Sequence, residues 1–368
     1  ETNETVVLDI ASVVHAVKVD KLPSEKLIVN VTDSTPTPTV TLSVGSTTID
    51  EDAGTTTTKV TTTLSGLSDL SVDVTIAVSG TAQQDVDYRI SPLLIMITPG
   101  KISATATLSA IGDLLDEPNE TMIIEVVGAT NAVEETPQEQ TVVLVDDDLP
   151  PTVSLSVGAA TIAEDTGMIS TTVTATLDAK SSLEITVDLV TTGTASASDY
   201  TLPLRIVIPA GATMNEVSVA AVGDLLNESN ETVIIDIKTA TNATVGIPKQ
   251  QTVTIMDDDS SPAVTLLVGA GAIDEFVPGN STSVTARLSS VAGRNVVVTL
   301  ATSGTAALTD YTVSTTITIP EGAQLAAVTL VATPDSLNEA NETVIIDVVA
   351  VENGVENGTQ TQTVEITN

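Results

Sequence analysis

The feature that most constrains the fold of this chain is an internal repeat with a period of about 111 residues. The asparagines Asn119, Asn230 and Asn341 are spaced by 111 residues, and the triplet Asp146-Asp147-Asp148 returns as Asp257-Asp258-Asp259. The units also open alike, with TVTLSVGSTTIDED from Thr39, TVSLSVGAATIAED from Thr152 and AVTLLVGAGAIDEF from Ala263. A period of this length exceeds one solenoid turn, so the pattern predicts one independently folded domain per repeat.

These landmarks divide the chain into four segments. Residues 1–38 match the C-terminal half of a unit, because NETVVLDI from Asn3 corresponds to NETVIIDI from Asn230. We call this segment the half repeat. It is followed by repeat 1 (39–151), repeat 2 (152–262) and repeat 3 (263–368).

Repeat 2 shows the strand pattern most clearly. Short runs rich in Thr, Val and Ile alternate polar and apolar residues, and Gly, Pro, Asn, Asp or Ser separate them. This is typical of an antiparallel β-sandwich, and no run keeps a helical period. The sequence therefore predicts an all-β chain of seven-stranded sandwiches, whose strands in repeat 2 are 152–157, 170–177, 184–190, 205–208, 216–222, 232–237 and 252–256.

The acidic residues follow alternate strands. Successive strands of an antiparallel sandwich mostly reverse direction, so the ends of strands one, three, five and seven meet at one pole. We therefore expect eight carboxylates at one pole of repeat 2, namely Glu164, Asp199, Asp224, Glu228, Glu231, Asp257, Asp258 and Asp259. The same placement in repeat 1 gives Glu51, Asp87, Asp113, Glu117, Glu120, Asp146, Asp147 and Asp148.

Such a cluster needs a neutralising cation. The chain has 12 Lys+Arg against 49 Asp+Glu, a formal net charge of -37, and no cluster of basic residues. It also has no cysteine and one histidine, so the available ligands are carboxylate oxygens. These ligands favour calcium over zinc or copper, and several converging loops suit the six to eight oxygens that calcium takes. The alternative is a solvated acidic face, which would be expected to spread over both poles.

Four separated elements resemble the Calx-β domain: the opening Glu, the GTA…DY segment, the GD-x-x-x-E-x-N-E segment and the closing apolar-DDD triplet. This resemblance implies tandem immunoglobulin-like sandwiches whose acidic pole binds Ca²⁺. The resemblance also implies a set of calcium ligands. These are the sixteen acids named above and, in repeat 3, Glu275, Asp310, Asp335, Glu339 and Glu342.

Two places depart from the pattern. In repeat 3, Phe276 replaces the acid present at Asp52 and Asp165, and Asn368 stands where the triplet should begin. The half repeat keeps Asp33 alone. We expect weaker or no calcium binding in these two places.

The spacing of the repeats suggests a structural role. The triplet closes strand seven and the next unit begins about four residues later, so calcium would sit at the junction and stiffen a rod. We expect a stalk or filament segment of a bacterial cell-surface or secreted adhesin, extracellular, serving adhesion, biofilm formation or surface gliding. Two alternatives are a calcium-sensing module of a transporter or receptor, and a glycan- or protein-binding adhesive module. Catalysis is not expected, since His15 is the sole histidine.

The charge and the half repeat define the expected partners. A surface of this charge repels nucleic acid and anionic membranes, and no apolar run reaches the length of a membrane span. The half repeat supplies only strands six and seven of a sandwich and would expose bare strand edges. We expect it to be completed by neighbouring repeats of the same chain or of another chain, and the second case would give a head-to-tail filament.

Overall fold

The structure, a computed structural model, describes residues 3–16, 26–134, 136, 138–336 and 339–367. Parts of the half repeat, and Asn368 at the expected triplet of repeat 3, lie outside these residues. No helix in the described part of the chain is long and apolar enough to cross a membrane.

All regular elements of the described residues are strands, as predicted. The half repeat contains β1 (Glu4–Leu8) and β2 (Leu27–Val31). Repeat 1 contains β3 (Val40–Val44), β4 (Thr48–Asp50), β5 (Thr57–Leu64), β6 (Val72–Gly80), β7 (Tyr88–Ser91), β8 (Leu94–Ile97), β9 (Ser103–Ala110), β10 (Glu120–Thr130) and β11 (Glu139–Val145).

The other two repeats follow the same order. Repeat 2 contains β12 (Thr152–Val157), β13 (Thr161–Ala163), β14 (Ser170–Leu177), β15 (Ile185–Gly193), β16 (Tyr200–Thr201), β17 (Arg205–Ile208), β18 (Met214–Ala221), β19 (Glu231–Thr241), β20 (Thr244–Val245) and β21 (Gln250–Met256). Repeat 3 contains β22 (Ala263–Val268), β23 (Ala272–Asp274), β24 (Ser281–Leu288), β25 (Val296–Gly304), β26 (Tyr311–Thr312), β27 (Thr316–Ile319), β28 (Leu325–Ala332), β29 (Glu342–Glu352), β30 (Val355–Glu356) and β31 (Thr361–Thr367).

Each repeat is a sandwich of two sheets. In repeat 2 one sheet has the order β16-β18-β14-β12-β20 and the other β13-β21-β19-β15-β17. Repeat 3 has the same two orders, and repeat 1 has β3-β5-β9-β7 and β4-β11-β10-β6-β8. The predicted all-β sandwich is therefore confirmed, and every strand predicted in repeat 2 is present.

The first strand of each sandwich is split between the two sheets. In repeat 2, β12 pairs with β14, and the chain then passes Gly158 and continues as β13 in the other sheet. There β13 runs parallel to β21, as β4 does to β11 and β23 to β31. The short strands β20 and β30 also pair in parallel. The antiparallel prediction thus holds for the long strands. The pairs formed by β4, β13 and β23 depart from it because the first strand changes sheets, and the β12–β20 and β22–β30 pairs are further short parallel pairings.

Alternating side chains build a separate core in each repeat. Along β14, Val173, Ala175 and Leu177 point inward while the intervening threonines remain partly exposed. β-branched residues suit this pleated, half-buried surface. The cores are centred on fully buried residues such as Ile124 in repeat 1, Ile235 in repeat 2 and Ile346 in repeat 3.

The chain divides into two compact units. One comprises Glu1–Pro151 and Ala179–Leu183, and it contains the core of repeat 1. The other comprises Thr152–Asp178 and Glu184–Asn368, and it contains the cores of repeats 2 and 3.

Candidate metal centre

The parallel pairing at the split strand positions the opening glutamate. The backbone N–H of Glu51, directly after β4, donates to the carbonyl of Val145 at the end of β11, over 3.1 Å. Glu164 makes the same bond to Met256 at 3.1 Å, and Glu275 makes it to Thr367 at 3.0 Å. The opening glutamate is therefore held beside the residue that precedes the triplet.

The DY segment brings its aspartate to the same pole. The carboxylate of Asp87 accepts from the N–H of Gln83 over 2.6 Å, and the carbonyl of Asp87 accepts from Ile111 over 2.9 Å. Asp199 and Asp310 are fixed by equivalent bonds in the other repeats. The loop after strand five therefore lies against this segment.

A third set of bonds joins the acidic loop to the triplet. In repeat 1, Asn119 accepts from the N–H of Asp146 over 3.1 Å, and Asp146 accepts from the N–H of Glu117, also over 3.1 Å. In repeat 2, Asn230 and Asp257 make the same pair of bonds, at 3.2 and 2.9 Å. The first glutamate of the spacing Asp-x-x-x-Glu-x-x-Glu is thus held next to the first acid of the triplet.

Three groups of carboxylates converge closely enough to share an ion. They are Glu51 with Asp146 and Asp148, Asp87 with Glu117 and Glu120, and Glu164 with Asp224 and Asp259. Within each group one oxygen from each residue lies within 4.8 Å of the others. A small pocket in repeat 2 also brings together Glu164, Asp199, Glu228, Glu231 and Asp257.

The remaining predicted residues take other positions. Asp113 is an electrostatic neighbour of Glu51 and Glu117 and accepts from the N–H of Leu115 over 2.7 Å. The middle acids of the triplets lie outside the three groups. Asp147 accepts from the N–H of Asp52 over 3.3 Å, and Asp258 accepts from the N–H of Thr166 over 3.0 Å. These two acids close the turn that follows the opening glutamate.

Repeat 3 has the same acids in a looser arrangement. Glu275 is buried, and its carboxylate accepts from the N–H of Asp335 over 3.1 Å. Loss of water contact and the charges of Asp335, Asp310 and Glu275 raise the pKa of Glu339. The pKa of Glu342 is raised too, by loss of water contact and by a hydrogen bond with Asp310. Among the described residues, no three carboxylates of this repeat meet as closely as those of repeats 1 and 2.

Crowding of like charges shows in the pKa values. Burial, together with Asp113, Glu117, Asp146 and Asp148, raises the pKa of Glu51 to about 7. Burial and the nearby acids likewise raise the pKa of Glu120, Glu164 and Glu231 to about 7. Such shifts arise where carboxylates are partly desolvated and face each other without a cation.

The donor set fits calcium. Oε2 of Glu120 and Oδ2 of Asp259 are buried and have no hydrogen-bond partner among the described residues. Among the described residues, the ion pairs are Arg89–Asp85, Arg205–Asp188 and Lys249–Asp236, and none of them includes a carboxylate of the three groups. A buried carboxylate oxygen without a donor is costly, and coordination to a hard cation would satisfy it. A merely solvated acidic face does not account for these buried oxygens.

Two further residues of the site, Asp52 and Asp165, are not among the predicted ligands. The carboxylates of Asp52 and Asp165 lie directly against Gly112 and Gly223, where a Cβ would overlap with them. Asp52 is also an electrostatic neighbour of Asp148, and Asp165 of Asp259. In repeat 3 the two positions are Phe276 and Pro334, so the acid and the glycine are replaced together. This paired change is the sequence signal that the acid and the glycine belong to one site.

Comparison with known proteins identifies the family. The family model for the Calx-beta domain matches residues 33–148 and 146–259. No curated protein matches the chain.

Solved structures provide looser similarities. The CBD12 structure of CALX1.2 is 14% identical, with 59% of this chain and 100% of that chain covered and a TM-score of 0.27. The apo-form Calx CBD1 domain is 24% identical, with 29% and 98% covered and a TM-score of 0.25. Cadherin domains 3-6 of protocadherin gamma B2 are 13% identical, with 93% and 80% covered and a TM-score of 0.27. The family match covers more than half of the chain, and the chain therefore belongs to the Calx-beta domain family.

Proposed function

We propose that this chain is a calcium-stiffened segment of the stalk of a bacterial cell-surface or secreted adhesin, and that it works outside the cell without catalysing a reaction. The family and the uncompensated carboxylates support calcium binding. The tandem repeats, each with its own core, support a structural role.

The observation that carries the proposal is the buried side-chain amide of Asn227, which forms hydrogen bonds in both repeat 2 and repeat 3. Asn227 is 4% exposed, and its Nδ2 donates to Oδ2 of Asp257 over 3.1 Å and to the carbonyl of Asp259 over 3.0 Å. Its Oδ1 accepts from Nη2 of Arg294 over 2.9 Å, and its carbonyl accepts from the N–H of Gly293 over 3.2 Å. One side chain therefore contacts both the candidate calcium ligands and the following repeat.

Calcium would act through these contacts. Bound at Glu164, Asp224 and Asp259, the cation supplies positive charge that offsets the repulsion among the acids. Asp257 and Asp259 would then fix the loop of Asn227 through their hydrogen bonds to its side chain. Asn227 would in turn fix Arg294 and Gly293 through its own hydrogen bonds to them. Neutralising the charge and ordering the loop both restrict the hinge between the two repeats.

A distance measurement tests the stiffening. The chain has no cysteine, so spin labels can be attached at Glu216→Cys and Ala327→Cys, two exposed positions 111 residues apart in repeats 2 and 3. We expect calcium to narrow the distance distribution between the labels, and Asn227→Ala to restore part of its width. Equal widths with calcium and with EDTA would refute the stiffening mechanism.

The affinity for calcium tests whether the chain works outside the cell, and it distinguishes a stalk segment from a calcium-sensing module. Extracellular modules bind calcium at about 10⁻⁴–10⁻³ M, whereas sensors respond at about 10⁻⁷–10⁻⁵ M. We expect a calcium titration measured by calorimetry to give a dissociation constant of about 10⁻⁴–10⁻³ M. A midpoint in the second range would favour the calcium-sensing module of a transporter or receptor.

A further inference from the structure

One buried position of the acidic loop differs in chemistry between repeats 1 and 2. Asp116 and Asn227 are 111 residues apart, and each directly precedes the first glutamate of the spacing Asp-x-x-x-Glu-x-x-Glu. Asp116 is 7% exposed and Asn227 is 4% exposed. Two buried side chains of nearly the same shape therefore occupy one position, and the first has a carboxylate where the second has an amide.

In both repeats a loop of the following repeat holds one atom of this side chain. The Oγ of Ser181, which is 1% exposed, donates to Oδ2 of Asp116 over 2.7 Å. In the same way, Nη2 of Arg294 donates to Oδ1 of Asn227 over 2.9 Å. In each residue this leaves the second side-chain atom for contacts within the acidic pole.

In repeat 2 that second atom is a nitrogen bonded to the triplet. Nδ2 of Asn227 donates to Oδ2 of Asp257 over 3.1 Å and to the carbonyl of Asp259 over 3.0 Å. The other oxygen of Asp257, Oδ1, accepts from the N–H of Glu228 over 2.9 Å. The amide nitrogen therefore lies between two oxygens of the triplet and supplies hydrogen atoms to both.

Repeat 1 has no such donor at this place. Oδ1 of Asp146 accepts from the N–H of Glu117 over 3.1 Å, as Asp257 does in repeat 2. Within the described part of the chain, no group donates a hydrogen bond to Oδ2 of Asp146 or to Oδ1 of Asp116. Burial raises the pKa of Asp146 and of Asp148, and the charge of Asp116 adds to both increases. Carboxylates therefore repel each other in repeat 1 where repeat 2 has a hydrogen-bond donor.

We propose that Asp116 is a further calcium ligand of repeat 1, and that its ion takes the position that the amide nitrogen of Asn227 has in repeat 2. The ligands would be the undonated oxygens of Asp116 and Asp146 and the carbonyl of Asp148, which corresponds to that of Asp259. Carboxylate and carbonyl oxygens suit calcium, and water can complete its shell. The proposal rests on calcium binding at the acidic pole and adds one ion to repeat 1.

The charges around the two positions agree with this difference. In repeat 2 the guanidinium of Arg294 lies against Asn227, whereas the residue equivalent to Arg294 in the loop beside Asp116 is Leu183. Repeat 1 thus has one more buried carboxylate and lacks the neighbouring cation. A buried charge is costly unless it is paired, so repeat 1 needs an ion where repeat 2 does not.

Ser181 would orient the additional ligand. Its bond to Oδ2 fixes the carboxylate of Asp116, and a hydrogen bond of this kind is the usual way in which a metal ligand is held in position. Ser181 belongs to the loop between β14 and β15. An ion bound by Asp116 would therefore be linked through one hydrogen bond to this loop of repeat 2.

Calorimetric titration of the full chain with calcium tests the ligand. We expect Asp116→Asn and Asp116→Ala each to bind one ion fewer than the wild-type chain. The matched control is Asp69→Asn, which removes an exposed carboxylate of the loop between β5 and β6 and should leave the number of ions unchanged.

Melting in EDTA distinguishes a ligand from a merely structural residue. The amide of Asp116→Asn can donate to the triplet as Asn227 does, so we expect the metal-free transition of repeat 1 to rise by about 4 °C or more. Asp116→Ala supplies no donor and should not show this increase. A structural role of Asp116 predicts the opposite for the Asn variant, namely no increase or a decrease.

Two results would overturn the proposal alone: unchanged calcium uptake in both Asp116 variants, or a metal-free transition that Asp116→Asn lowers. In either case calcium binding by the wild-type chain would leave the proposed function intact. No calcium uptake by the wild-type chain would overturn both. An unchanged transition of repeat 2 in each variant controls for misfolding.

Discussion

Buried glutamates at the acidic pole determine how the chain responds to pH and to calcium. Glu51 and Glu164 are 6% and 8% exposed, and each lies next to other carboxylates. Without a cation, their pKa is raised to about 7, so these side chains are mainly protonated below that pH. Calcium binding must therefore displace protons, and the metal and the proton compete for the same oxygens.

The first prediction concerns pH. The pKa of Glu51, Glu120, Glu164 and Glu231 is raised from 4.5 to about 7 in the folded protein. Between these two values the folded state holds more protons than the unfolded state, so metal-free stability falls as pH rises. We expect the melting temperature in EDTA to be higher at about pH 5 than at about pH 8, and the increase caused by calcium to be larger at about pH 8. Metal-free melting that rises over this interval would contradict the assignment.

The second prediction concerns Gly112. A Cβ at this position would overlap with the carboxylate of Asp52, so Gly112→Ala must displace an acid that neighbours Asp148. We expect calcium affinity in repeat 1 to fall by about tenfold or more, which corresponds to roughly 1.4 kcal/mol. Calorimetric titration measures the change. The matched control is Gly128→Ala, because a Cβ at Gly128 meets no atom within 4 Å. Equal effects of the two substitutions would remove Asp52 from the site.

At the scale of the strand, alternation fixes which side chains carry the stability of a repeat. Along β19, Ile235 is fully buried, whereas its neighbour Ile234 is only half-buried. The same strand begins at Glu231, directly after the acidic loop. The core therefore anchors the loop that supplies the carboxylates.

The third prediction follows from this alternation. Ile235→Ala removes buried methyl groups and leaves a cavity, so we expect a loss of about 2–5 kcal/mol in the free energy of unfolding of repeat 2. Ile234→Ala should cost clearly less, because its side chain keeps contact with water. Urea unfolding of both variants, in the presence of calcium, gives the comparison. Equal losses would mean that the assigned faces of β19 are incorrect.

The long strands could be predicted from the sequence because their period-two pattern is local. The strand predicted at 170–177 coincides with β14, and that at 152–157 with β12. The parallel pair β13–β21 could not be predicted in this way, since it depends on the first strand leaving its sheet at Gly158. Likewise, alternation places the triplet at the acidic pole but does not distinguish Asp258, which bonds to Thr166, from Asp259, which faces Glu164. The domain boundaries and the ligand set remain predictions.

Across the whole molecule, the repeats are alike in fold and unlike in their acidic sites. Repeats 1 and 2 hold converging carboxylates, whereas repeat 3 has Phe276 at the position of Asp165. The net charge of -37 opposes folding of every repeat when no cation is bound.

The fourth prediction concerns melting of the full chain. We expect calorimetry to resolve calcium-dependent transitions for repeats 1 and 2 and a transition for repeat 3 that calcium shifts little. Sodium chloride at about 0.5 M should raise all metal-free transitions by screening, without reproducing the selective effect of calcium. In the presence of calcium, Glu164→Gln should lower the transition of repeat 2 alone. A uniform response of all three repeats would indicate general screening and not site binding.

The split first strand has a mechanical consequence. Within each complete repeat, the entering segment (β4, β13 or β23) lies parallel to the last strand (β11, β21 or β31). Tension on the two ends of a repeat pulls these neighbours in opposite directions along their length, so their hydrogen bonds bear load in shear and must break together. The opening glutamate is bonded to the end of the same pair, so an ion held there would lie across the first bonds that a pulling force has to rupture.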